Sequence, residues 1–156
     1  MKPRPKASPQ CIARRARPSD SARLLELIRE YYRYDGIRFD AKSVAPALRK
    51  LLRDESLGCV WMIEEAGNPA GYVILTFNYD LEFGGREGIV TDLFLREKYR
   101  GRGLGRMALD CVGEYCRARG ISAIELQVED DNNAAQTFYR KLGFRKLSRI
   151  VMSKDL

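Results

Sequence analysis

Histidine is absent from the 156-residue chain. That removes histidine general bases, Ser-His-Asp triads and the commonest zinc ligand together. Cysteine is sparse: Cys11, Cys59, Cys111 and Cys116 contain no Cys-x-x-Cys pair. Buried reduced thiols are therefore expected, with neither a metal site nor a disulfide framework. No apolar run approaches the length of a membrane span, and the opening MKPRPKASPQ lacks the apolar middle of a secretory signal. A cytoplasmic location is expected, and a membrane partner is not. Two phosphate-loop patterns are missing as well. No Gly-Lys-Ser/Thr triplet follows a glycine at P-loop spacing, and no Gly-x-Gly-x-x-Gly fingerprint occurs.

What is present fits one folded domain. Hydrophobic residues make up 45% and charged residues 31%, an ordinary balance for a chain with a real core. The net charge of +7 is concentrated at one end, where Lys2, Arg4, Lys6, Arg14, Arg15 and Arg17 precede Ser19 without an acid among them. The rest of the chain is close to neutral, so no basic face is indicated and a nucleic-acid partner is not expected. Residues 1–10, with three prolines, read as a disordered basic leader, and residues 11–156 as a single domain.

Periodicity supplies the elements. A short strand, Cys11 to Ala16, precedes a helix capped at Ser19 or Asp20 and running to about Arg33, with Leu24, Leu27, Ile28, Tyr31 and Tyr32 inward. A second helix covers about Ser43 to Asp54. Cys59–Glu65 and Gly71–Tyr79 form a hairpin about Gly67-Asn68-Pro69. Further strands are expected at Ile89–Leu95, Ala123–Val128 and about Leu147–Ser153, with helices from the glycine step after Arg100 to Arg119 and from Asn132 to Leu142.

The stretch Gly88 to Gly120 organises the rest. An apolar strand leads through a charged turn into Arg100-Gly101-Arg102-Gly103-Leu104-Gly105, and a helix with one apolar face follows. Unpaired amides and the helix dipole meet at that point, which suits a phosphate. Glycines let the backbone come close to a diphosphate, and Arg100, Arg102 and Arg106 can add charge-assisted bonds. The plainer alternative is a tight turn with solvated arginines.

The pattern Arg100-x-x-Gly103-x-Gly105 after a strand resembles the acyl-CoA pyrophosphate loop of the GNAT superfamily of N-acetyltransferases. A second block, Asn132-x-x-Ala135-x-x-x-Tyr139-x-x-x-Gly143-Phe144, is similar to another family segment and comes in the family order. The resemblance implies an α/β fold with a mixed, mostly antiparallel sheet of six to seven strands, splayed at the acetyl-CoA cleft and flanked by about four helices. It implies acetyl-CoA as acyl donor and no metal. The backbone of Leu93, Phe94 and Leu95 would meet the pantetheine and thioester, with a strand amide there as oxyanion donor. Arg100, Gly101, Arg102, Gly103, Leu104, Gly105 and Arg106 would take the pyrophosphate, and Asn132 would lie near the pantetheine arm. Tyr139 matches the family tyrosine that protonates the departing sulfur; a core tyrosine is the alternative.

The base is read from the residues themselves. Asp92 is charged within an otherwise apolar strand, a costly placement unless it is paired or functional. Pairing with a nearby arginine is the other reading, and Glu82, Glu87 and Glu125 stand behind it as candidates. Gln127 occupies the position where ribosomal-protein alanine acetyltransferases carry a glutamate, which argues against their protein N-terminal substrate. Asp80, Glu82, Glu87 and Asp92 on one side and Glu125, Glu129, Asp130 and Asp131 on the other would make an acidic mouth, unless they are solvated faces. Thr91-Asp92-Leu93-Phe94-Leu95 is similar to the acid-bearing run of diamine acetyltransferases, with Thr91 in place of another acid. The expected activity is acetyl transfer to a small cationic amine, Tyr31, Tyr32, Tyr34 and Phe39 lining its cleft. Acetylation of a protein lysine or N-terminus, and a non-catalytic acyl-CoA sensor, are the alternatives. A homodimer is compatible with the sequence.

Overall fold

The computed structural model describes residues 10–156, so the expected leader lies outside the described residues except for Gln10. The described chain divides into two compact units, one running to Leu126 and the other Gln127–Leu156.

The first unit contains β1 (Cys11–Arg15), α1 (Ser21–Tyr34), α2 (Ala41–Leu51), β2 (Gly58–Glu65), β3 (Asn68–Asp80), β4 (Gly85–Leu95), α3 (Leu104–Arg117) and β5 (Ile124–Leu126). Its sheet has the order β1-β2-β3-β4-β5; every pairing is antiparallel except β4 with β5, which is parallel. Residues directly opposite across a ladder share a face, which separates the side chains into two sets. Val60, Met62, Tyr72, Ile74 and Phe94 pack with Leu24, Leu27 and Ile28 of α1 and Leu48 of α2. The other face carries Cys59, Trp61, Val73 and Leu75 and is covered by α3, where Trp61 meets Tyr115 edge-on at 5.3 Å.

Two arginines of the basic N-terminal stretch turn out to be structural. Arg14 donates from both terminal nitrogens to Asp20, each at 2.9 Å, and reaches Glu64 at 2.8 Å. Arg15 pairs with Glu55 at 2.9 Å. Asp20 stands at the start of α1 without capping it; its carboxylate accepts from Arg14 and from the Arg17 amide. Asp40, in contrast, caps α2 through the Lys42 amide.

The second unit contains α4 (Asn133–Lys141). The expected strand at Leu147–Ser153 is not formed, so the described residues hold five strands rather than six to seven, with four helices as expected. Ile150, Val151 and Met152 are exposed there. Three apolar residues in succession offer no alternating face, and strand propensity counts only where a neighbour takes up the ladder.

Candidate active site

β5 pairs with β4 only across Gly88–Val90, while β4 runs on to Leu95. Beyond Val90 that edge of β4 has no strand beside it among the described residues. The cause lies on the other edge. Ile74 stands opposite Asp92 and Leu75 opposite Val90, which makes Thr91 an extra residue in β4, a bulge. A bulge bends its strand and sharpens the twist, which carries β4 away from a neighbour. It also changes parity. Val90 falls on the α3 face with Leu75, whereas Asp92 joins Ile74 and Tyr72 under α1 and α2. Unbroken alternation would have put Val90 and Asp92 on one face.

Backbone phase follows from one bond. The Arg96 amide donates to the Ala70 carbonyl at 2.9 Å, and bonded pairs alternate from there. Phe94 and Asp92 therefore spend their backbone groups on β3, and Leu93 and Leu95 present theirs to the open edge. Of the three residues expected along the donor, Phe94 is turned the other way and contributes a buried ring to the core instead.

The glycine step has the expected geometry. Gly101 and Gly103 have φ of 70° and 84°, left-handed values costly for other residues. No backbone bond is taken by the amides of residues 101–106; the first to bond is that of Met107, to the Gly103 carbonyl at 3.0 Å. Six consecutive amides at the start of α3 thus lack a backbone acceptor, and Leu104 and Gly105 are buried beneath them. The arginines behave differently from one another. Arg100 donates from Nε to the Leu95 carbonyl at 2.8 Å and lies over the Tyr34 ring at 4.6 Å. Arg102 forms a two-pronged pair with Glu65 at the end of β2. Arg106 is exposed, 3.8 Å from Asp110.

Asp92 is partnered by a phenol, not by an arginine. Tyr72 Oη donates to Asp92 Oδ2 at 2.9 Å. Burial pushes the Asp92 carboxyl above the ordinary range; the Tyr72 bond pulls it down, and the charge of Asp35 pushes it up. Tyr72 is itself raised, by burial and then by Asp92, and remains a phenol that donates. Asp92 and Thr91 form part of the floor of a cavity of about 440 Å³ between α1, α2 and the sheet, with Ile28 and Tyr32 from α1 and Ser43, Val44 and Ala47 from α2. Of the aromatic segment expected there, only Tyr32 lines the cavity. Tyr31 packs against Tyr72 and Phe94, Phe39 against Tyr32, and Tyr34 is exposed. The cavity does not include Glu82, Glu87 or Glu125.

In the second unit, Asn132 Oδ1 accepts from the Ala135 amide at 3.1 Å and so caps α4. Tyr139 is half-buried against Phe138 and Phe144, with ring centroids at 5.2 and 5.6 Å, and burial raises its phenol. Gln127 is exposed.

Sequence reasoning missed Tyr72 and the bulge at Thr91. Tyr72 was the one polar tip within the apolar run Gly71–Leu75, a signal in principle. Its partner could not be named without the β3–β4 register. Among the described residues no group of three acids, cysteines or histidines converges as a metal site, and no helix is long and apolar enough to cross a membrane.

Residues 22–144 match the model of the Acetyltransferase (GNAT) family. The chain is similar to the thialysine N-epsilon-acetyltransferase of Bos taurus, 29% identical over 146 residues, 88% of this chain and 85% of the relative. It also resembles an integron cassette protein from the mobile metagenome of Cole Harbour Salt Marsh, with a TM-score of 0.83, 30% identity and coverage of 92% and 90% of the two chains. A predicted acetyltransferase of Clostridium acetobutylicum, solved with acetyl-CoA, shares the fold at a TM-score of 0.80 and 20% identity, over 93% of this chain and 96% of that one.

Proposed function

The chain belongs to the GNAT acetyltransferase family and is an N-acetyltransferase, and we propose that its donor is acetyl-CoA and its acceptor the primary amine of a small cationic molecule received in the cavity above Asp92. One observation carries the reading: a single bulge opens the edge at Leu93 and Leu95 and aims Asp92 into that cavity. An amine there would meet a carboxylate on one side and the edge amides on the other.

The roles follow from the chemistry of amide formation. Asp92 takes a proton from the incoming ammonium, and its raised pKa brings it nearer the working pH of a base. The free nitrogen attacks the thioester directly; the new C–N bond forms as the C–S bond breaks. The Leu93 or Leu95 amide receives the developing negative oxygen. Amides of residues 101–106, with the Arg106 guanidinium, hold the pyrophosphate. Arg102 serves there by its backbone, since its side chain is spent on Glu65. Arg100, expected beside it, is left out, because its amide is bonded to the Glu97 carbonyl at 3.1 Å and its side chain to the Leu95 carbonyl. Tyr139 is assigned the proton returned to the thiolate, and Asn132 a place beside the pantetheine arm; both assignments rest on the family resemblance. The family match runs from Ala22 past Leu126 to Phe144, which supports reading residues 11–156 as one domain.

The thialysine acetyltransferase likeness and the acids on the α1–α2 side of the sheet support a cationic acceptor. The test is thiol release from acetyl-CoA across free amines, aminoglycosides and lysine- or N-terminus-bearing peptides. Turnover of free amines above peptides is expected. Peptide turnover exceeding every free amine would refute this acceptor class, and CoA retention without turnover would make the protein a sensor.

A further inference from the structure

Glu87 is a buried carboxylate of the sheet that the proposed reaction leaves unexplained. It is 2% exposed, and its Oε1 has no hydrogen-bond donor. Its Oε2 receives only a long contact, 3.5 Å, from Asn78 Nδ2. Glu125, paired with Ile89, stands diagonally from it on the same face of the sheet, and the charges of Glu125 and Asp80 both act on its carboxyl. Arg86, the adjacent cation in sequence, is engaged over the Phe77 ring at 5.0 Å. Neither Glu87 nor Glu125 forms an ion pair with a lysine or arginine among the described residues. Two carboxyls so close either share a proton, so that only one is ionised, or stay ionised together with a cation between them.

The position of the pair narrows the choice. Glu87 lies opposite Asn78, Ile89 opposite Thr76 and Asp92 opposite Ile74, so Glu87 shares the cavity's face of the sheet, one rung past Thr76. Glu125 is next to Ile89 in the parallel ladder and is half-buried, which makes it the open side of the pair. From Ile74 to Asn78 along regular β3 is about 13 Å at strand rise. An ammonium carries three donors and no acceptor, which suits two facing carboxylates and the Asn78 carbonyl oxygen.

We propose that Glu87 and Glu125 form a subsite for a second ammonium, and that the acceptor is a linear diamine or polyamine whose far nitrogen binds there, about 13 Å from Asp92. This rests on the acetyl-transfer reading and names its substrate class. The pair lies outside the residues assigned to the chemistry, so it contributes to acceptor affinity and not to the chemical step.

Diaminooctane and octylamine share one chain and differ only in the far nitrogen. Thiol release should favour the diamine by at least tenfold in kcat/KM. The Glu87→Gln, Glu125→Gln double variant should lose that preference through KM for the diamine, with octylamine kinetics and kcat unchanged; each single variant should lose part of it. No preference in the wild type, or a preference that survives the double variant, would overturn the subsite and leave the pair as a shared-proton contact. Calorimetric binding of the same two amines to the wild type and the double variant separates these outcomes without turnover. Selective diamine binding without acetylation would therefore uphold the subsite while sinking the acceptor assignment.

Discussion

Replacing Tyr72 with phenylalanine removes a single hydroxyl from a fully buried ring and tests Asp92 as the base. The Tyr72 hydroxyl donates at 2.9 Å to Asp92, a bond that favours the carboxylate over the acid. A hydrogen bond to a charged group is worth about 1.5–3 kcal/mol, and one pKa unit corresponds to about 1.4 kcal/mol. Burial already holds Asp92 above its ordinary range, so losing the donor adds to a shift in the same direction. The acid limb of kcat/KM, where activity rises as Asp92 ionises, should therefore move upward by about one to two pH units. The alkaline plateau should stay within a few-fold, because the ring and its contacts remain. Thiol release measured from mildly acid to alkaline pH reads the limb directly, with a thermal melt of the variant at each end. Asp92→Asn supplies the control, abolishing the limb and lowering kcat/KM by roughly 10²–10⁴-fold. An acid limb unmoved in folded Tyr72→Phe, or retained in Asp92→Asn, would refute the assignment.

Other outcomes follow from separate parts of the molecule. Gly103→Val forces a branched residue to φ of 84° among the unbonded amides; KM for acetyl-CoA should rise at least tenfold, with stability lower by about 1–3 kcal/mol, in kinetics and urea titration. Tyr139→Phe should lower kcat roughly 10²-fold while equilibrium CoA binding is unchanged; unaltered turnover removes Tyr139 from the mechanism. Asp20 is held at about 2 against an ordinary 3.8, chiefly by Arg14. The stability from that depressed pKa is fully present above about pH 4 and is lost as pH falls through about 2. Asp20→Asn should therefore cost about 2 kcal/mol at neutral pH and progressively less below pH 4 in urea unfolding, a convergence that a merely steric defect would not give.

The sequence by itself determined the features that depend on neighbours along the chain. The glycine step and the apolar face of α3 arise from residues within one or two turns of each other, so spacing alone exposes them. The charge of Asp92 within an apolar run was legible for the same reason. What the tertiary structure decided was pairing. Thr91 becomes a bulge only because β3 offers it no partner, and that single mismatch selects the face of Asp92 and the open edge at Leu93 and Leu95. Tyr72 meets Asp92, and Glu87 meets Glu125, across ladders whose register no local pattern encodes. Leu147–Ser153 marks the same boundary from the other side: its composition favours a strand, yet a strand exists only where another supplies the hydrogen bonds it cannot make alone.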